Sequence, residues 1–89
     1  MEKIYLVVFE WSDYGDTDVE TSVCKTKEKA IQNVNNYVEN DTSVNDLYEY
    51  VKEHGFDEDL EYDKESGYFH ATDGDNWCSI YIEEKEIEE

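Results

Sequence analysis

Residues 3–11 read KIYLVVFEW and contain the longest apolar run of the chain, residues 4–9. An uninterrupted apolar run of this length is typical of a buried β-strand. Successive side chains of a strand point to opposite faces, and here both faces are apolar. One face holds Ile4, Leu6 and Val8, and the other holds Tyr5, Val7, Phe9 and Trp11. The pattern therefore predicts a central strand with both faces covered.

The next residues predict a hairpin. Residues 12–16, SDYGD, are typical of a turn in which Gly15 is free to take a positive φ. Residues 17–25 alternate between polar and apolar, with Val19 and Val23 on one face. This alternation predicts a half-buried strand antiparallel to the first.

Two helices are predicted to follow. Thr26 is a good N-cap for residues 27–40, whose apolar positions recur at helical spacing. Ser43 and Asp46 suggest a capping box for a second, shorter helix, and Gly55 stands where that helix is expected to end.

From Leu60 the apolar period returns to two, which predicts strands at about 60–63, 68–72 and 77–87. The fold is predicted to be α+β, with one domain over residues 1–89 and the element order ββααβββ. The acidic tail at 83–89 is the segment expected to fray. Both helices are expected on one face of a single antiparallel sheet. The residues expected to face them are Ile4, Leu6, Val8, Val19, Val23, Ile80 and Ile82.

The opposite face is then expected to be aromatic and uncovered, which is unusual on a monomer. Tyr and Trp are common anchors of protein interfaces. We therefore expect this face to bind a partner or a second copy of the chain. Its candidate residues are Tyr5, Phe9, Trp11, Trp77 and Tyr81.

The chain carries 25 acidic residues and 7 basic ones, for a formal net charge of −18. This charge argues against direct contact with nucleic acid or with an anionic membrane, because both require cationic side chains. No apolar run approaches the ~20 residues of a membrane span. The six-residue apolar run at 4–9 is too short for the core of a signal peptide, so we expect a cytoplasmic protein with Cys24 and Cys78 as reduced thiols.

The acids are clustered along the sequence. Alternate residues of a strand lie on one face about 6.7 Å apart, so Glu61, Asp63 and Glu65 are predicted to form a line of negative charge. Such a line resembles the phosphates of one nucleic-acid strand, although a solvated surface is the simpler interpretation. The candidate partner-binding acids are Asp57, Glu58, Asp59, Glu61, Asp63, Glu65, Glu84, Glu86 and Glu88.

No catalytic or metal-binding pattern emerges from the sequence. His54, His70, Cys24 and Cys78 lack the close spacing of structural zinc ligands. Residues 73–76, DGDN, supply too few ligands for Ca²⁺ and predict a turn instead. We therefore expect no enzyme activity, no metal and no cofactor.

In size, charge and absence of Arg, the chain resembles the small acidic inhibitors of phages and mobile elements, such as DNA-mimic anti-restriction proteins and anti-CRISPR proteins. The acidic clusters at residues 57–65 and 83–89 carry this resemblance, which transfers no functional position. It implies an inhibitor that blocks the basic nucleic-acid site of a host defence protein. The alternative is a small adaptor that homodimerises through the aromatic face. Acids gathered on one surface favour the inhibitor, and evenly spread acids favour the adaptor.

Salt is expected to stabilise the fold. Carboxylates repel one another at neutral pH, and added salt shortens that repulsion to about 8–10 Å near physiological ionic strength. The melting temperature should rise between about 10 and about 500 mM NaCl. A flat or falling curve would show that attractive ion pairs outweigh repulsion.

Overall fold

The computed structural model describes residues 2–13, 15–55 and 59–87. In chain order the elements are β1 (Glu2–Asp13), β2 (Asp16–Cys24), α1 (Lys27–Asn40), α2 (Thr42–His54), β3 (Leu60–Asp63), β4 (Tyr68–Thr72) and β5 (Trp77–Ile87). The predicted α+β fold and its ββααβββ order are confirmed. Neither described helix is long and apolar enough to cross a membrane.

The five strands form one antiparallel sheet in the order β2-β1-β5-β4-β3. β1 lies inside the sheet, where it pairs with β2 on one side and with β5 on the other. The β1–β5 pairing runs from Glu2 opposite Ile87 to Ser12 opposite Trp77. Residues 83–87 of the acidic tail therefore belong to a paired strand.

The core lies between the two helices and one face of the sheet. The helices contribute small buried side chains, among them Ala30, Val34 and Val38, while the sheet contributes large ones, among them Phe69 and Ile80. Packed layers are filled at close to crystalline density, so small side chains on one layer require large ones on the other.

The orientation predicted for β1 is wrong. Val7 and Phe9 pack beneath the helices, with Tyr5 and Trp11 beside them, whereas Ile4, Leu6 and Val8 lie on the uncovered face. Val19 and Val23, also expected in the core, are 58% and 66% exposed on that uncovered face. Ile80 and Ile82 do face the helices, as predicted.

The physical reason is the size of the helical side chains. Because both faces of β1 are apolar, alternation alone does not determine which face the helices cover. The valine-rich helices leave space that Phe9 fills, and its ring makes an edge-to-face contact with Tyr37 at a 4.9 Å centroid distance. The same orientation places Val7 and Phe9 opposite Ile82 and Ile80 in the sheet.

The helix caps agree only in part with the sequence prediction. Thr26 caps α1, since its hydroxyl accepts a hydrogen bond from the backbone N–H of Lys29. Asp41, and not Ser43, caps α2: its Oδ1 accepts from the backbone N–H groups of Ser43 and Val44. The predicted capping box of Ser43 and Asp46 is therefore wrong.

The antiparallel order divides the turns between two ends of the sheet. At the hairpin end, β1 and β4 finish and β2 and β5 begin, so the β1–β2 and β4–β5 turns lie there. At the opposite end, which we call the lysine end, β1 begins and β2 and β5 finish. The β3–β4 turn points towards this end as well. β1 has 12 residues, which separates the two ends by about 40 Å.

Gly67 is expected to tolerate a side chain less well than Gly74. Both have positive φ, at 77° and 100°, so an alanine strains the backbone at either position. At Gly67 the added Cβ also lies 2.7 Å from Ile82 Cδ1 and 3.3 Å from Ile31 Cα, whereas at Gly74 nothing lies within 4 Å. Gly67→Ala should lose about 1–3 kcal/mol more unfolding free energy than Gly74→Ala. Urea titration measures this difference, and equal losses would contradict the crowding at Gly67.

Candidate partner-binding cleft and charged surface

A cleft of about 690 Å³ opens at the hairpin end, between the sheet and the first turns of α2. Trp11 and Ser12 of β1 form one wall, and Val44 and Leu47 of α2 form the other. Residues far apart in the chain meet here, because the β1–β5 pairing brings Trp77 alongside Ser12. The cleft is thus a product of the sheet register.

Aromatic rings form the wall of the cleft on the side of the sheet. The Trp11 ring makes an edge-to-face contact with Phe9, with centroids 4.9 Å apart and planes at 84°. Phe9 contacts Tyr37 of α1 in the same way. Interlocked rings of this kind hold one another in place, so Trp11 presents a fixed apolar surface. Trp77 borders the cleft as well, but the β1–β5 register directs its side chain to the opposite face of the sheet.

Carboxylates form the rim of the same cleft. They are Glu20 of β2, Asp41 and Asp46 around the start of α2, and Asp73 of the β4–β5 turn. Asp73 Oδ1 accepts hydrogen bonds from the backbone N–H groups of Asn76 and Asp75. These bonds, that from Asn76 above all, lower the pKa of Asp73. Asp41 is fixed by its capping bonds, so two of the four carboxylates are held by local hydrogen bonds.

β2 adds a line of negative charge beside the cleft. Asp16, Asp18 and Glu20 occupy alternate positions of this strand and lie on the side of the sheet that the helices cover. All three are exposed, and alternate strand residues are about 6.7 Å apart. A line of carboxylates was predicted on β3, and the structure has one on β2. The alternation of Asp16, Asp18 and Glu20 in the sequence indicates this line.

Lysines are concentrated at the other end of the molecule. Three lysines form ion pairs at the lysine end or in the half of the molecule nearer to it. These pairs are Lys3 with Glu84 at 3.7 Å, Lys64 with Glu39 at 2.9 Å, and Lys85 with Glu83 at 4.0 Å. Lys25, Lys27 and Lys29 lie where β2 leads into α1, also at that end. Lys52 is in the last turn of α2, over the Tyr48 ring. The hairpin end thus carries acids without neighbouring lysines.

The acids predicted around β3 do not share one strand face. Asp57 and Glu58 lie outside the described residues, and Asp59 directly precedes β3. Glu61 and Asp63 are on β3, but Glu65 lies in the following turn, so the predicted three-residue line is wrong. Asp63 Oδ1 accepts from the backbone N–H groups of Ser66 and Glu65, and these bonds lower its pKa.

The acids predicted on the tail lie away from the cleft. Glu84 and Glu86 are at the lysine end of β5, and Glu88 lies outside the described residues. Partner binding by these acids and by those of β3 stays a prediction. The predicted partner-binding acids do not include Glu20, Asp41, Asp46 or Asp73. These four residues are distant in sequence and meet only in the folded chain.

The five aromatic residues predicted to share an open face are divided between the two faces. Tyr5, Phe9 and Trp11 lie on the side that the helices cover, and Trp77 and Tyr81 lie on the other. The Tyr81 hydroxyl donates a hydrogen bond of 2.9 Å to the Glu10 carboxylate, and this bond raises the pKa of Tyr81. The open face instead carries an aliphatic group, Ile4, Leu6, Val8, Val19 and Val23, beside Tyr81 and among polar side chains such as Glu10 and Ser79.

Metal chemistry has no support in the described part of the chain. No three His, Cys, Asp or Glu side chains there are grouped to hold a metal ion. Comparison of the sequence and the fold with family models, curated proteins and solved structures finds no match.

Cys78 is expected to react with thiol reagents much more slowly than Cys24. It lies in the cleft lining and is only 4% exposed. Burial, with a smaller effect of the Asp41 charge, raises the pKa of its thiol to about 12. Its thiolate fraction at pH 8 should therefore be more than about a thousandfold smaller than that of an ordinary thiol. Ellman's reagent should modify half-exposed Cys24 at least about tenfold faster in the native protein, and both thiols alike in denaturant. Equal native rates would contradict the burial of Cys78.

Proposed function

We propose that this chain is an acidic inhibitor that binds the basic nucleic-acid site of a partner protein and excludes DNA or RNA by occupying it. The uneven placement of the lysines carries the proposal: six of the seven lie at or towards the lysine end, among acids of that end, whereas the acids of the hairpin end have no neighbouring lysine. A surface that only keeps a protein soluble needs a net charge of roughly 2–8 in a small domain and no such uneven placement.

The hairpin end has the properties that such binding requires. Asp16, Asp18 and Glu20 project from a paired strand, and Asp73 and Asp41 are fixed by hydrogen bonds. Carboxylates held in position lose little entropy when they pair with Lys and Arg side chains. Their summed field also attracts a positive surface over a Debye length or more. The mode of action is occupancy without catalysis, in the cytoplasm of the cell that contains the target.

A homodimeric adaptor is the second candidate. The open face of the sheet favours it, because Val19 and Val23 are largely exposed next to Ile4 and Leu6. Two copies each carrying −18 would repel one another, which opposes close association. Sedimentation at high protein concentration separates the candidates, since the adaptor requires a dimer and the inhibitor does not.

The inhibitor proposal predicts which carboxylates matter. The immobilised chain is used to capture proteins from a host lysate, and each captured protein is then tested for displacement of a labelled oligonucleotide. Three variants that each remove three charges are compared: a hairpin set, a β3 set and a tail set. All substitutions replace a carboxylate with its amide. The hairpin set is Asp16, Asp18 and Asp75, the β3 set is Asp59, Glu61 and Glu65, and the tail set is Glu83, Glu84 and Glu86.

The hairpin set should lose the most. Three exposed ion pairs at roughly 0.2–1 kcal/mol each correspond to a loss of about 3- to 150-fold in displacement. The other two sets should lose less, and the hairpin set should also show the smallest salt dependence. A wild-type chain that displaces no nucleic acid would contradict the proposal. Equal losses in all three sets would show that net charge, and not the hairpin end, determines binding.

A further inference from the structure

We propose that the cleft at the hairpin end is the docking site for a basic segment of the partner protein, with an arginine side chain held between the Trp11 wall and the acidic rim. This inference rests on the proposed function and identifies the part of the surface that recognises the partner. Its starting point is an open, half-apolar cleft bordered by four carboxylates.

The wall of the cleft fits the flat face of a guanidinium group. Trp is the best aromatic partner for a cation, and Arg stacks on aromatic rings more often than Lys does. Trp11 is only partly buried and is fixed by its contact with Phe9, so a ligand meets a surface that is already ordered. The methylene stem of an arginine would lie against Val44 and Leu47 on the α2 side.

The rim supplies the complementary charge. Glu20, Asp46, Asp41 and Asp73 border the opening from three separate elements, so a cation inside is approached by carboxylates from several directions. No lysine is among the residues that line the cleft in the described part of the chain, so no internal cation competes with the ligand. An ion pair next to an apolar wall is also screened less by salt than one in open water.

The size of the cleft fits a short segment and not a whole protein surface. Its volume of about 690 Å³ falls within the roughly 300–1,000 Å³ of sites that enclose small ligands. One or two side chains of a basic loop therefore enter, while the line of carboxylates on β2 contacts the surrounding positive surface.

A hexa-arginine peptide tests the cleft directly. Trp11 lines the cleft, so its intrinsic fluorescence reports occupancy without a label. A Trp77→Phe variant leaves Trp11 as the sole reporter. At about 150 mM salt the peptide should change the Trp11 emission in a saturable way, and hexalysine, of equal charge, should bind several-fold more weakly.

Two variants of equal charge change locate the site. Glu20→Gln with Asp46→Asn removes two rim carboxylates that make no structural hydrogen bond in the cleft, and Glu2→Gln with Glu53→Gln removes two exposed acids outside it. The rim pair should weaken hexa-arginine binding by roughly 2- to 30-fold, and the outside pair by less than about 2-fold. Urea titration of both variants confirms that each is folded.

The outcomes separate this inference from the proposed function. Equal weakening by the two pairs, or unchanged Trp11 emission at saturating peptide, would overturn the cleft as the docking site. Charge mimicry by the hairpin set would then still stand on oligonucleotide displacement. Conversely, peptide binding in the cleft without displacement of nucleic acid from any partner would support the cleft and refute the inhibitor.

Discussion

The long antiparallel pairing of β1 with β5 is the constraint on which the rest of the structure depends. It joins the two ends of the chain, from Glu2 opposite Ile87 to Ser12 opposite Trp77. By placing Phe9 opposite Ile80, it determines which face of β1 the helices cover. It also places the β1–β2 and β4–β5 turns at one end of the sheet, and so creates both the cleft and the acidic surface around it.

The placement of lysines at the start of α1 lowers the stability of that helix. Lys27 and Lys29 lie in the first turn of α1, where the positive end of the helix dipole disfavours cations. The Thr26 cap and Glu28 in the same turn offset part of this effect. Lysines placed here lie far from the hairpin end and leave its acids uncompensated.

Local patterns were sufficient to predict most of the fold. Periodicity gave all seven elements, and the turns at residues 64–67 and 73–76 appear where expected. The orientation of β1 was not predictable in this way, because a strand that is apolar on both faces satisfies either arrangement. The cleft was not predictable either: Trp11, Asp41 and Asp73 are distant in sequence and meet only through non-local pairing. The line of acids on β2 was readable in part: Asp18 and Glu20 were in the predicted strand, but Asp16 was assigned to the turn before it.

Because the lysines offset acids at one end of β1 only, the net negative charge is uneven along the molecule, which is therefore an electric dipole as well as an anion. Its negative pole coincides with the cleft, and its opposite pole lies about 40 Å away. In the field of a positively charged partner, such a dipole experiences a torque before any contact forms. If the proposed partner is bound through the cleft, this torque would turn the cleft towards it during approach, and a larger share of diffusional collisions would begin in the productive orientation.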